Sequence, residues 1–152
     1  MKVYIALLFL FTATIGLAQD NPEKNVETAI EEFFQAFHAQ DATKLREKAS
    51  SDIRMQTIGK SSEGHDSVVN VPYERFVNAI VSIPDSVQFQ ERLLSISVKV
   101  DGSLAQAWTP YEFWINGNLS HCGVNSFQLI KEQEEWKILY IIDTRRKEGC
   151  QQ

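Results

Sequence analysis

The sequence predicts an α+β domain. Helical segments with an aromatic face come first, and from Val87 onward apolar and polar residues alternate with a period of two. Asp101-Gly102 and Asn116-Gly117 are two-residue hairpin turns joining the alternating runs. Helices followed by a meander of long antiparallel strands is the order of an α+β fold, in which the sheet buries one face on the helices.

Each element has its own signal. Asn21-Pro22-Glu23 combines a capping side chain, a proline at the first helical position and an acid at the positive helix end. Val26, Ala29, Ile30, Phe33, Phe34 and Phe37 follow at helical spacing, predicting a helix over about 22–39. Gln40 breaks it, and Asp41 caps a shorter helix to about residue 49. Residues 52–58 read as a strand and 59–64 as a polar loop. A third helix is expected over 72–81, with Tyr73, Phe76, Val77 and Ile80 on one face, and Pro84 ends that region. Leu94, Ile96, Val98 and Val100 then alternate with polar residues. Strands over 105–115, 119–131 and 136–145 follow, the first interrupted by Pro110, which points to a bulge or an edge.

The first residues read differently. Met1-Lys2 is a short positive start, residues 3–17 are apolar apart from Thr12 and Thr14, and Gly16-Leu17-Ala18 places small residues before a cleavage site at Gln19. Residues 1–18 are expected to be a signal peptide and 19–152 the mature domain, secreted or periplasmic, with no membrane attachment after cleavage. The chain is acidic, with formal net charge −5, and removing residues 1–18 takes away one lysine and no acid. That balance argues against nucleic-acid binding.

The aromatic helix Ile30-Glu31-Glu32-Phe33-Phe34-Gln35-Ala36-Phe37, the opening Gln40-Asp41-Ala42-Thr43-Lys44-Leu45 and the ending Trp136-Lys137-Ile138-Leu139-Tyr140-Ile141-Ile142 resemble the nuclear-transport-factor-2-like superfamily. That superfamily includes SnoaL-like and ketosteroid-isomerase-like proteins. The resemblance covers nearly all of residues 19–152. It implies a cystatin-like cone, with three N-terminal helices packed in a strongly bent antiparallel sheet around a central apolar pocket. It also implies a homodimer formed through the sheet. Its members include isomerases, dehydratases, cyclases and binding modules, so the fold alone does not choose a function.

His121 and Cys122 sit side by side in Ser-His-Cys-Gly. Consecutive strand residues point to opposite faces, so on a regular strand they cannot form a nucleophile–base couple. Cys122 and Cys150 are the only cysteines, and an exported chain makes them natural disulfide partners. The turn at Gln133-Glu134 sets Cys122 opposite about Arg145, and Cys150 lies five residues further on. Such a bridge is worth about 2–4 kcal/mol.

The same register arithmetic gives His121, Asn125 and Asp143 one face, with Glu112 opposite His121, Trp114 nearby and Trp108 near Asn125. Phe127, Leu129, Leu139 and Ile141 continue it as an apolar floor. A few polar groups at the end of an apolar surface suit a small-molecule pocket. The opposite parity carries Leu94, Ile96, Val98, Val100, Ala105, Ala107, Tyr111, Phe113, Val124, Ile138, Tyr140 and Ile142, which could instead be the core. The tryptophan face would then be a subunit interface, and a bulge at Pro110 would exchange the faces midway. Both readings stay open at this point.

In the pocket reading, Arg54, Trp108, Glu112, Trp114 and Asn125 contact a small apolar ligand, Arg54 at the mouth. His121 and Asp143 are the candidates for acid–base work, with the bland alternative that Asp143 neutralises Arg145. No cofactor or metal is expected: His38, His65 and His121 lack ligand spacing, and Gly59-Lys60-Ser61 lacks the earlier glycine of a phosphate loop, where Arg54 stands. Asn118-Leu119-Ser120 is a formal glycosylation triplet best explained as a tight turn. Three functions follow in order: an exported binder of a small apolar molecule; an isomerase- or dehydratase-type enzyme using Asp143 and His121; and a protein-interaction module working through the sheet.

Overall fold

The structure is a computed structural model that describes residues 21–150. The expected signal peptide therefore lies outside the described residues. Helix α1 (Pro22–His38) starts where Asn21 accepts the Lys24 backbone N–H at 3.2 Å, with Pro22 in the first turn. It buries Val26, Ile30, Phe33, Phe34 and Phe37. Asp41 caps α2 (Ala42–Glu47) through the Lys44 N–H at 3.0 Å. Between them Gln40 turns the chain with φ 53°, and its amide reaches the carbonyls of Ile80 and Ile83 at 2.7 and 2.9 Å. This anchors the turn on α3 (Tyr73–Val81).

Seven strands form one sheet: β1 (Ala49–Lys60), β2 (Asp66–Asn70), β3 (Phe89–Leu93), β4 (Ser97–Asp101), β5 (Leu104–Ile115), β6 (Asn118–Glu132) and β7 (Glu135–Arg146). Their order is β2-β1-β7-β6-β5-β3, with β4 also on β5. Every pairing is antiparallel except β1 with β7, which is parallel. A parallel pair needs a long crossover connection, and here it is the whole chain from β2 through α3 to β6. The second helix ends two residues earlier than expected because Ala49 already pairs with Ile138. The polar segment after the loop forms the edge strand β2, whose Val68 and Val69 are exposed.

The run after Val87 is split in two. β4 pairs with the first half of β5 and β3 with the second half, leaving residues 94–96 as a kink. Pro110 faces this kink and takes the Leu94 N–H on its carbonyl at 2.8 Å. A residue without an N–H fits here because the ladder is already interrupted. The β5–β6 ladder runs through Pro110 without a shift, so the expected face exchange at Pro110 does not occur.

The shift lies elsewhere. Next to the Asn116-Gly117 turn, Trp114 pairs with Leu119, but Phe113 already pairs with His121, leaving Ser120 as the extra residue of a bulge. A second shift leaves Leu139 unpaired between Gln128–Tyr140 and Leu129–Ile138. These two insertions merge the two candidate faces. The core holds Ala105, Ala107 and Ile138 from one list with Phe127, Leu129 and Ile141 from the other, all packed on α1 and α3.

Candidate functional site

The concave face of the sheet and helices α1 and α3 enclose a cavity of about 450 Å³. Phenylalanines dominate its apolar wall: Phe33, Phe34 and Phe37 from α1, Phe76 from α3, Phe113 from β5 and Phe127 from β6. The rings brace one another. Phe127 meets Phe33 and Phe34 edge-on at 6.0 and 6.1 Å, and Phe37 stacks on Phe76 at 6.0 Å. Met55, Val69, Val71, Ala79, Ile80 and Ile141 complete the apolar lining.

Six polar groups come from the four neighbouring strands β3, β5, β6 and β7, and Gln56, Thr57, Asn70 and Arg75 add others from β1, β2 and α3. Glu91 of β3, Tyr111 of β5, His121 and Asn125 of β6, and Asp143 and Arg145 of β7 all line the cavity. Asn125 donates through Nδ2 to Glu91 Oε1 at 2.6 Å and pairs in register with Asp143. Asp143 Oδ2 accepts from Arg145 Nε at 2.7 Å, whereas its Oδ1 is buried with no hydrogen-bond partner. Tyr111 donates its hydroxyl to the Thr144 carbonyl at 3.0 Å. Gly123 makes this crossing possible: a Cβ there would stand 1.8 Å from the Thr144 oxygen and 2.9 Å from the Tyr111 ring.

The environment moves the titrations. Burial pushes the Glu91 carboxyl up to about 7; the nearby Asp143 adds to the rise, while the Asn125 bond and Arg145 oppose it. Burial lowers His121, helped by the Arg145 charge and opposed by Asp143. Its ring stacks on Phe113 at 4.9 Å and its Nδ1 lies 3.2 Å from Ser120 Oγ. Burial and the neighbouring carboxyl groups also raise Tyr111. On the far side of β3, the Glu91 backbone N–H donates to His38 Nε2 at 3.0 Å, so Glu91 is held from two directions.

The structure brings together His121, Asn125 and Asp143, as the sequence arithmetic required. It does not bring the tryptophans there. The Ser120 bulge slides β5 by one residue against β6, and a one-residue slip turns every side chain over. Tyr111 and Phe113 therefore face the cavity, while Trp108, Glu112 and Trp114 lie on the outer face. Trp108 is 55 % exposed. Trp114 donates to Glu112 at 3.0 Å and carries Arg92 over its ring at 4.4 Å. Arg54 is exposed and pairs with Tyr140, on the face turned away from Met55 and Ile141, so it is not in the cavity wall. Cys122 and Cys150 form the expected disulfide, with Cys122 opposite Arg146.

Glu91 was missed, although it carried a signal. Phe89, Glu91 and Leu93 occupy one face of a short strand, so an acid stands where the alternation calls for an apolar residue. At the site, Arg145 was expected as a possible partner of Asp143, and that pairing is present.

No protein-family model matches the chain, and no curated protein matches it either. Solved structures do match. A nuclear-transport-factor-2-like protein from Cytophaga hutchinsonii superposes with a TM-score of 0.67 at 11% identity, covering 84% of this chain and 100% of that one. A protein of the same fold type, cystatin-like, from Novosphingobium aromaticivorans gives 0.65 at 13% identity, covering 84% and 82%. A candidate dehydratase of the nuclear-transport-factor-2-like family from Streptomyces avermitilis gives 0.62 at 14% identity, covering 82% and 95%. The chain thus has the nuclear-transport-factor-2-like, cystatin-like fold.

Proposed function

We propose that this chain binds a small, largely apolar molecule in the cavity between α1, α3 and the concave sheet. The observation that carries the reading is the cavity itself: about 450 Å³, with six phenylalanines in its wall and polar groups converging at one end from β3, β5, β6 and β7. That volume, and an apolar wall with convergent polar groups, are those of small-molecule sites. A thermal-shift screen of apolar acids and sterol-like compounds tests it. At least one compound should raise the melting temperature in proportion to the logarithm of its concentration; a flat response across the whole screen would sink the reading.

A second reading is an acid–base enzyme of the isomerase or dehydratase type. Asp143 and His121 remain its candidate pair, and Glu91 favours it, because a carboxyl poised near 7 both gives and takes protons at neutral pH. Its test is turnover of any ligand the screen finds, with loss of turnover in Glu91→Gln or Asp143→Asn while binding persists. The reading also includes export and self-association. The Cys122–Cys150 bridge suits an oxidising compartment, and exposed Trp108 on the outer sheet face suits a subunit contact.

A further inference from the structure

Resting on that binding reading, we infer that the ligand is an apolar carboxylic acid whose carboxylate is held at the cavity rim by Arg75 of α3 and the terminal nitrogens of Arg145. Both arginines line the cavity, and both have donors to spare. Arg145 commits Nε to Asp143 Oδ2 at 2.7 Å and its two terminal nitrogens to no described residue. The Arg75 guanidinium makes neither a hydrogen bond nor an ion pair with any described residue. Its place is also unfavourable for a cation, because it stands in the first turn of α3, at the positive end of the helix. The adjacent Glu74 offers no relief: it accepts from Arg46 Nε at 3.0 Å and from Arg46 Nη2 at 2.7 Å. A bound anion supplies the missing partner.

The two arginines flank one stretch of wall. Thr57 of β1 pairs in register with Asp143 of β7 on one side and with Val69 of β2 on the other, and all three line the cavity. Arg145 lies two residues beyond Asp143 on β7, and β2 leads through Val71 and Pro72 into the first turn of α3. Exposure sorts the lining: both arginines are exposed, whereas Phe33 and Phe127 are 3% and 1% exposed. A carboxylate at the rim therefore keeps part of its hydration while its apolar body lies on the rings. The acids of the cavity do not cancel this. Asp143 Oδ1 is enclosed by protein and Oδ2 is paired with Arg145, and burial keeps the proton on Glu91 up to about pH 7. Burial and the Arg145 charge lower the His121 titration, so it adds no charge of either sign at neutral pH. What the cavity presents to a ligand is guanidinium, whose planar fork matches a carboxylate.

The test uses four compounds with one apolar body: 4-cyclohexylbenzoate, 4-cyclohexylbenzyl alcohol, 4-cyclohexylbenzylamine and cyclohexylbenzene, titrated calorimetrically into the full chain at pH 7 in low salt. The benzoate should bind at least ten-fold tighter than each of the others. In Arg75→Gln the benzoate should lose at least five-fold in affinity, with the alcohol within about two-fold of the parent. Arg92→Gln removes the same charge from the outer face, where Arg92 lies over Trp114, and should leave the benzoate within about two-fold. Alcohol or hydrocarbon binding as tightly as benzoate, tightest binding by the amine, or equal losses in Arg75→Gln and Arg92→Gln overturns the inference while leaving the binding reading intact. Binding by none of the four overturns both. The comparison on the parent chain decides the matter even where Arg75→Gln does not fold.

Discussion

The side chains of Glu91 and Asn125 meet at 2.6 Å although β5 lies between their strands. Both reach over the concave face of β5, so the contact bridges β3 and β6 inside the cavity. A buried carboxyl with one amide donor is only partly compensated, and this is why it holds its proton up to about 7.

That shift gives a pH dependence of stability. Unfolded, Glu91 loses its proton around the ordinary 4.5; folded, it does so near 7. Between those values the folded chain binds the extra proton, so the Glu91 contribution weakens as pH rises through the window and stays at its least favourable above it. The full effect is on the order of 3 kcal/mol at most. In Glu91→Gln this slope should vanish, so that the variant gains on the parent from pH 5 to pH 8. Urea midpoints at four pH values check it; parallel profiles would show that Glu91 titrates normally.

The disulfide closes a loop with a sequence separation of 28. Chain-entropy arithmetic for a loop of that size gives about 3–4 kcal/mol. The double substitution of Cys122 and Cys150 by serine should lower stability by about that amount. Peptide mapping without reduction should recover the two cysteines in one linked fragment; two free thiols would contradict the structure.

Gly123 is the position where the polar end tolerates least. The atom that a Cβ would strike first is a backbone oxygen on β7, which cannot swing aside as a side chain can. Gly123→Ala should therefore destabilise by about 1–3 kcal/mol, and it should disturb the Tyr111 bond to Thr144. A melting temperature unchanged from the parent would mean that β6 and β7 are less closely apposed there.

Much of this site was readable in the sequence, and the unreadable part has one main physical origin. Helical spacing and capping placed α1, α2 and α3 within a few residues, because local propensity and apolar period agreed there. Parity along β6 and β7 grouped His121, Asn125 and Asp143. What failed was the transfer of register from β6 to β5. The Asn116-Gly117 turn gives the right pairing for Trp114 with Leu119, but one residue later Ser120 bulges and the arithmetic is off by one. Nothing in Leu119-Ser120-His121 announces a bulge, since its stability comes from the curvature it allows around the helices. Pro110 looked like the place for a shift, yet its missing N–H is accommodated by the gap between β3 and β4. Glu91 breaks the alternation of Phe89 and Leu93, but a five-residue strand gives that signal only one position.

The bulge also supplies a direct comparison between the two faces of the sheet, through Phe127 and Trp108. Phe127 is 1% exposed and touches Phe33 and Phe34, so Phe127→Ala should cost about 3–5 kcal/mol and change the affinity of any cavity ligand. Trp108 belongs to the outer face, so Trp108→Lys should alter stability of the monomer by less than about 0.5 kcal/mol and leave cavity binding unchanged. Its effect should appear in sedimentation: where copies associate through this face, a buried lysine in place of an aromatic anchor raises the monomer fraction. Loss of cavity binding in Trp108→Lys would restore the register in which Trp108 faces the pocket and remove the bulge at Ser120. An unchanged ligand affinity with a shifted monomer fraction assigns ligand and partner to opposite faces of one sheet.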